Sequence, residues 1–135
     1  MKTPIWSALL LVGLALPAQA QRMDAAVSCE PTDTRYEYAC VLELTAAGEP
    51  VEGAEFSVKP DMPSMPMAHN IRSQPARPTD KPGAYAVVLP LEMYGEWALR
   101  VEVSAPERDL VVVTRHFGPD GIEENGHGHD DHGTD

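Results

Sequence analysis

Residues 36–44, Tyr-Glu-Tyr-Ala-Cys-Val-Leu-Glu-Leu, decide the fold class of this chain. Large apolar side chains or Cys occupy every second position of this stretch, and acidic or smaller residues stand between them. A period of two is typical of a β-strand that buries one face, because successive side chains point to opposite sides. Residues 97–103, Trp-Ala-Leu-Arg-Val-Glu-Val, repeat the pattern. Both stretches therefore predict half-buried strands.

Further strands are predicted on either side of these two, separated by turn residues. The candidates are residues 25–30, 54–59, 85–89 and 110–117. The last contains Leu-Val-Val-Val, a run that predicts a strand buried on both faces. No window after residue 20 has the 3.6-residue apolar spacing of a helix. About seven short strands, with turn signals at roughly ten-residue intervals, predict an all-β fold, a single immunoglobulin-like antiparallel β-sandwich.

The chain has two cysteines, Cys29 and Cys40. Cys40 lies on the apolar face of its strand, and the turn at residues 31–34 would make Cys29 its neighbour across a hairpin. A structural disulfide is the default for an exported chain. A thiol metal site or a redox pair remains the alternative, although ten intervening residues lack the tight C-x-x-C spacing.

The two ends of the chain differ from its body. Residues 1–20 combine Lys2, an apolar stretch at 5–16 and the cleavage signal Ala18-Gln19-Ala20, which predicts a signal peptide. A retained anchor is the alternative, but the apolar stretch is shorter than the about 20 residues that a membrane helix needs. Residues 119–135 are rich in Gly, Asp, Glu and His and are expected to be disordered. The folded domain is therefore expected at residues 21–118, in a periplasm, without stable membrane insertion after cleavage.

Net charge limits the partners. Loss of the leader removes one of ten basic residues and no acidic one, so the mature net charge is 9 − 21 = −12. We expect no nucleic acid partner, because Lys and Arg that neutralise phosphates supply most of that affinity. An acidic surface favours solubility and attracts cations.

Residues 62–69, Met-Pro-Ser-Met-Pro-Met-Ala-His, contain the strongest functional signal. Thioether sulfur is a soft ligand that favours Cu(I), and imidazole binds copper and zinc. Because proline restricts the residue before it to extended conformations, residues 65–69 are expected to be extended. Met65, Met67 and His69 would then point to one side, with Met62 upstream. The alternative is that these methionines fill gaps in the core.

Two further groups are weaker metal candidates. Met93, in the predicted turn at residues 91–95, would supply another sulfur or lie in the core beneath that turn. His127, His129 and His132 lie among aspartates in the C-terminal tail. Imidazole with carboxylate suits Cu(II) or Zn(II) better than Cu(I). The alternative for the tail is a solvated acidic segment.

Three segments make the chain resemble the FixH and YtkA-like group of small exported or membrane-tethered bacterial β-domains. They are Pro50–Val58, the run at residues 62–69, and Gly83-Ala84-Tyr85 followed by residues 91–101, so that the resemblance covers roughly residues 48–104. It implies an immunoglobulin-like sandwich, a link to copper with Met62, Met65, Met67 and His69 as ligands, and, in the FixH branch, assembly of membrane cytochrome oxidase. The chain departs from that branch in its cleavable leader, cysteine pair and histidine tail.

The sequence thus predicts a periplasmic carrier or buffer of Cu(I) that delivers copper to a periplasmic or membrane protein, with divalent metal capture by the tail. The alternative is an interaction module that assists assembly of a membrane complex through its Met/Pro loop, since methionine-rich surfaces adapt to partners. We expect no enzyme, because no catalytic constellation can be named.

Overall fold

A computed structural model describes residues 22–124, and within them the only regular elements are β-strands. The predicted signal peptide at residues 1–20 and the tail histidines His127, His129 and His132 lie outside this range. The strands are β1 (Met23–Pro31), β2 (Glu37–Ala46), β3 (Glu49–Pro50), β4 (Glu55–Asp61), β5 (Gln74–Pro75), β6 (Arg77–Pro78), β7 (Ala84–Pro90), β8 (Gly95–Ala105), β9 (Asp109–Gly118) and β10 (Gly121–Glu123). No helix in this range is long and apolar enough to cross a membrane.

The strands form two antiparallel sheets, which confirms the predicted sandwich. The first has the order β1-β2-β7-β6, with β3 paired to β2, and the second has the order β10-β9-β8-β4-β5. Each long strand turns alternate residues inward, as the period-two pattern predicted. Fully buried Trp97 of β8 lies in the core with Tyr38 of β2 and Phe117 of β9. The Tyr38 and Phe117 rings meet edge to face, with centroids 5.0 Å apart.

The cysteines form the predicted disulfide. Cys29 of β1 lies directly opposite Cys40 of β2, and the two are bonded. Because both sulfurs are in this bond, the alternatives of a thiol metal site and a pair of free thiols do not describe this structure. The disulfide links the two strands of the hairpin at one edge of the first sheet.

Two expectations for the end of the domain differ from the structure. Strand β9 is not buried on both faces, because Leu110 and Val112 point to solvent while Val113 points inward. The sheet also continues past residue 118, where the tail was expected to begin, into β10. The physical reason is Ile122, which is half-buried and packs on the core. A single apolar side chain after a glycine-containing turn therefore adds a short edge strand.

Three connections meet at one end of the sandwich. They are the β1–β2 turn, the long connection after β4 and the β7–β8 turn. The amide of Leu91 donates a hydrogen bond to the carbonyl of Tyr36 at 2.8 Å, which ties the β7–β8 turn to the β1–β2 turn. Asp61, the last residue of β4, pairs with Ala98 near the start of β8. The methionine run therefore leaves β4 beside the β7–β8 turn.

Candidate metal site

The methionine run forms two successive tight turns, so the prediction that residues 65–69 are extended is wrong. The amide of Met65 donates to the carbonyl of Met62 at 3.0 Å, and the amide of Ala68 donates to the carbonyl of Met65 at 3.2 Å. Pro63 and Pro66 each occupy the second position of a four-residue turn, where a φ near −65° is favoured. The restriction by proline that suggested an extended chain is equally compatible with this geometry.

Because of these turns, the three methionine side chains differ in their exposure to solvent. Met62 is 3% exposed and belongs to the core, Met65 is 43% exposed, and Met67 is 98% exposed. Met67 has a φ of 68°, in the left-handed region that few residues other than glycine adopt. This conformation suits the third position of a type II turn. Met65, Met67 and His69 therefore do not form one face of a strand.

His69 has an enclosed side chain with two different nitrogens. Its side chain is 14% exposed, and its ring lies 5.4 Å from the Trp97 ring, centroid to centroid. Nδ1 contacts a carboxylate oxygen of Glu92 in the β7–β8 turn. Nε2 is buried and has no hydrogen-bond partner. With the proton on Nδ1 and donated to Glu92, Nε2 carries a free lone pair.

The β7–β8 turn supplies the other side of the site. The indole Nε1 of Trp97 donates to the carbonyl of Met93 at 3.1 Å, which anchors the turn to the core. The Met93 side chain is half-buried and packs on the core cluster. A methyl group built on Gly95 would lie 3.4 Å from the Sδ-bound methyl of Met62. His69 thus contacts Glu92 of this turn, Met93 is part of the turn, and Met62 lies beside Gly95, the residue with which β8 begins. Met65 and Met67, in contrast, are exposed to solvent.

Glu92 and Trp97 were not predicted as site residues. The sequence placed Trp97 correctly in a strand and Glu92 in a turn, but their contacts with His69 join segments far apart in the chain. A histidine that binds a metal usually donates its other ring N–H to a carboxylate or carbonyl. An acidic residue in the same turn as Met93 was the one signal that could have suggested a partner for His69.

The described residues do not contain a conventional cluster of metal ligands. Between residues 22 and 124, no group of three or more His, Cys, Asp or Glu side chains is arranged to hold a metal ion. The side chains with possible donor atoms at or beside the β7–β8 turn are His69, Met62 and Met93. Imidazole and thioether are ligand types that suit Cu(I). Among the residues that the structure describes, the Nε2 of His69 is the buried side-chain nitrogen without a hydrogen-bond partner.

The fold is that of a small β-sandwich domain, with two antiparallel sheets around one core. A connection that contains methionine and histidine lies at one end of it. The chain belongs to the YtkA-like family, whose model matches residues 17–102, more than half of the 135 residues. This match confirms the resemblance noted from the sequence. It includes both the methionine run and the β7–β8 turn. No curated protein and no solved structure matches the chain.

Proposed function

We propose that this protein is an exported, non-catalytic carrier or buffer of Cu(I), with His69 as the central ligand. The observation that supports the proposal is the buried Nε2 of His69, which has no partner while Nδ1 faces Glu92. A buried polar atom without a partner costs roughly 1–3 kcal/mol, so such an atom calls for an explanation. Binding of a metal ion would satisfy it.

The methionines provide the soft ligands of this proposal. Met93 is in the same turn as Glu92, Met62 lies beside Gly95 at the end of that turn, and Met65 and Met67 are exposed and would approach from solvent. Thioethers carry no proton, so they bind a metal without first losing one, unlike thiols. Bound copper would act as a soft Lewis acid shared by these sulfurs and the imidazole. The carboxylate of Glu92 would hold the ring and add negative charge near the cation.

The test is an anaerobic Cu(I) titration of the full chain against a competing chelator. Trp97, the only tryptophan outside residues 1–20, provides a second signal through its fluorescence because it contacts His69. We expect one Cu(I) per chain and loss of this binding when Met62, Met65 and Met67 are all replaced by Leu. The matched control is Met23→Leu, which changes a buried methionine in β1 outside the loop. Unchanged Cu(I) affinity in the triple variant would refute the proposal.

Glu92 is proposed as a positioning residue. Glu92→Gln removes the charge that faces Nδ1 of His69 while it keeps an oxygen that accepts a hydrogen bond. Loss of such an outer partner typically weakens metal affinity by about 10–100-fold. We expect this range for Cu(I), with the thermal midpoint unchanged, since Glu92 is exposed. Equal Cu(I) affinity of the variant and the parent would remove Glu92 from the site.

The remaining parts of the proposal concern the chain ends. We propose export through residues 1–20 and capture of Cu(II) or Zn(II) by His127, His129 and His132, with delivery to a copper-receiving periplasmic or membrane protein. Amino-terminal sequencing of the protein from a periplasmic extract tests export, with Gln21 expected first. Divalent metal titration of a variant with the three tail histidines changed to Ala tests the tail.

A second candidate function is favoured by the exposure of Met67. A thioether side chain in solvent on a proline-held turn suits a docking surface for a membrane complex such as cytochrome oxidase. Replacement of Met65 and Met67 by Leu keeps an apolar surface but removes sulfur, whereas replacement by Ser removes both. Oxidase activity in membranes of cells that carry each variant separates the two functions. Docking predicts that the Leu variant is active, and copper delivery predicts that it is not.

A further inference from the structure

The graded exposure of the methionines has a chemical consequence beyond metal binding. Met67 has almost its whole surface in solvent, Met65 about half, and Met62 and Met23 almost none. Oxidation of methionine follows the access of the oxidant to sulfur. The turn that presents the thioether of Met67 to solvent therefore also presents it to oxidants.

We propose that Met67 is a methionine oxidation site, and that its oxidation by hydrogen peroxide disables the soft-metal site. A sulfur lone pair of Met67 attacks one peroxide oxygen, the O–O bond breaks, an S–O bond forms and water leaves. Sulfur loses two electrons and the peroxide gains them. The second half of the inference rests on the proposed Cu(I) function, because it concerns the loss of a ligand from that site.

The product changes the site but not the fold. A sulfoxide is polar, and its sulfur no longer has the soft thioether character that favours Cu(I). Because the Met67 side chain packs against nothing in the core, the added oxygen stays in solvent. The two turn hydrogen bonds use backbone atoms only. Oxidation of Met62, in contrast, would place a polar oxygen in the core and destabilise the domain.

The experiment treats the metal-free full chain with increasing hydrogen peroxide and locates the sulfoxides by peptide mass spectrometry. Met67 is expected to be oxidised first, Met65 second, and Met62 and Met23 last. At the dose that oxidises Met67 alone, the thermal midpoint should be unchanged. Cu(I) affinity should fall by about tenfold or more, a loss of roughly 1.4 kcal/mol or more. The matched variant Met67→Leu should show the same Cu(I) affinity before and after that dose.

Each result has one meaning. Oxidation of Met62 or Met23 ahead of Met67 overturns the assignment of the site, whatever the copper results show. Selective oxidation of Met67 with unchanged Cu(I) affinity overturns the loss of function but leaves the proposed Cu(I) carrier in place. Selective oxidation of a chain that binds no Cu(I) even before treatment overturns the proposed function itself and leaves Met67 as an oxidation site only.

Discussion

Met62→Ala is expected to destabilise the domain strongly, although Met62 lies in the connection after β4 and not in a strand. The residue is buried in the core cluster and its methyl group lies against Gly95. Truncation of a buried methionine to alanine costs about 2–5 kcal/mol, through lost burial and the cavity that remains. For a domain of about 100 residues the unfolding entropy is roughly 0.2 kcal/mol/K, so a loss of about 3 kcal/mol lowers the thermal midpoint by about 14 °C.

The assay is urea unfolding followed through the fluorescence of Trp97. Two controls separate burial from residue type. Met67→Ala should change stability by less than about 0.5 kcal/mol, because its side chain is in solvent. Met62→Leu keeps volume and should cost less than about 1.5 kcal/mol. If Met62→Ala costs less than about 1 kcal/mol, or as little as Met67→Ala, then Met62 is not a core residue and the reasoning from burial is refuted.

Three further predictions concern the body of the domain. The pKa of Tyr38 is raised above 10.0, chiefly by burial of its phenol. The phenol thus ionises more easily in the unfolded chain, so the stability it contributes is complete below about pH 10 and is lost as pH rises through the folded pKa. Tyr38→Phe should reduce this alkaline loss in pH-dependent urea titrations, and an unchanged profile would contradict the assignment. Replacement of both Cys29 and Cys40 by Ala should cost about 3 kcal/mol in the same assay, because the bond closes a short loop in the unfolded chain. Gly83→Ala should lower the free energy of unfolding more than Gly48→Ala does. Both glycines have φ near +80°, but a methyl group at Gly83 would lie 2.7 Å from a proline carbon, whereas the space beside Gly48 is open. The Gly48 variant should lose only the roughly 1–2 kcal/mol of left-handed strain, and equal midpoints for the two would refute the packing argument.

The sheets were predictable because local patterns carried the information. In residues 36–44 and 97–103 the alternation matched the observed burial, except that Ala98 is buried although it was expected to face outward. The burial of Cys40 and Trp97 therefore followed from position alone. The apolar run in β9 was misleading for a related reason. A strand can carry valines on its outer face, where β-branched residues are favoured even when exposed. Composition therefore predicted that β9 is a strand but not which of its side chains is buried.

The conformation of the methionine run could not be predicted in the same detail, because proline restricts the backbone without selecting a single conformation. Pro63 and Pro66 fit both an extended segment and two tight turns, and only the hydrogen bonds made by Met65 and Ala68 distinguish them. The contact of His69 with Glu92 joins residues 23 positions apart. Such a contact depends on how the end of β4 meets the start of β8, and no local pattern records that arrangement.

The split within the methionine run also decides how the copper proposal must be tested. Met62 packs in the core whether or not it binds a metal, while the side chain of Met67 makes no packing contact with the core. A variant that removes all three sulfurs therefore changes the core and the exposed turn together. Single Leu variants separate these effects. Because Met67→Leu is not expected to change stability, a loss of Cu(I) binding in that variant cannot result from unfolding. If Met67→Leu and Met62→Leu both weaken Cu(I) binding at unchanged stability, the exposed and buried sulfurs act on one ion, and the turn must fold back over His69 to bring them together.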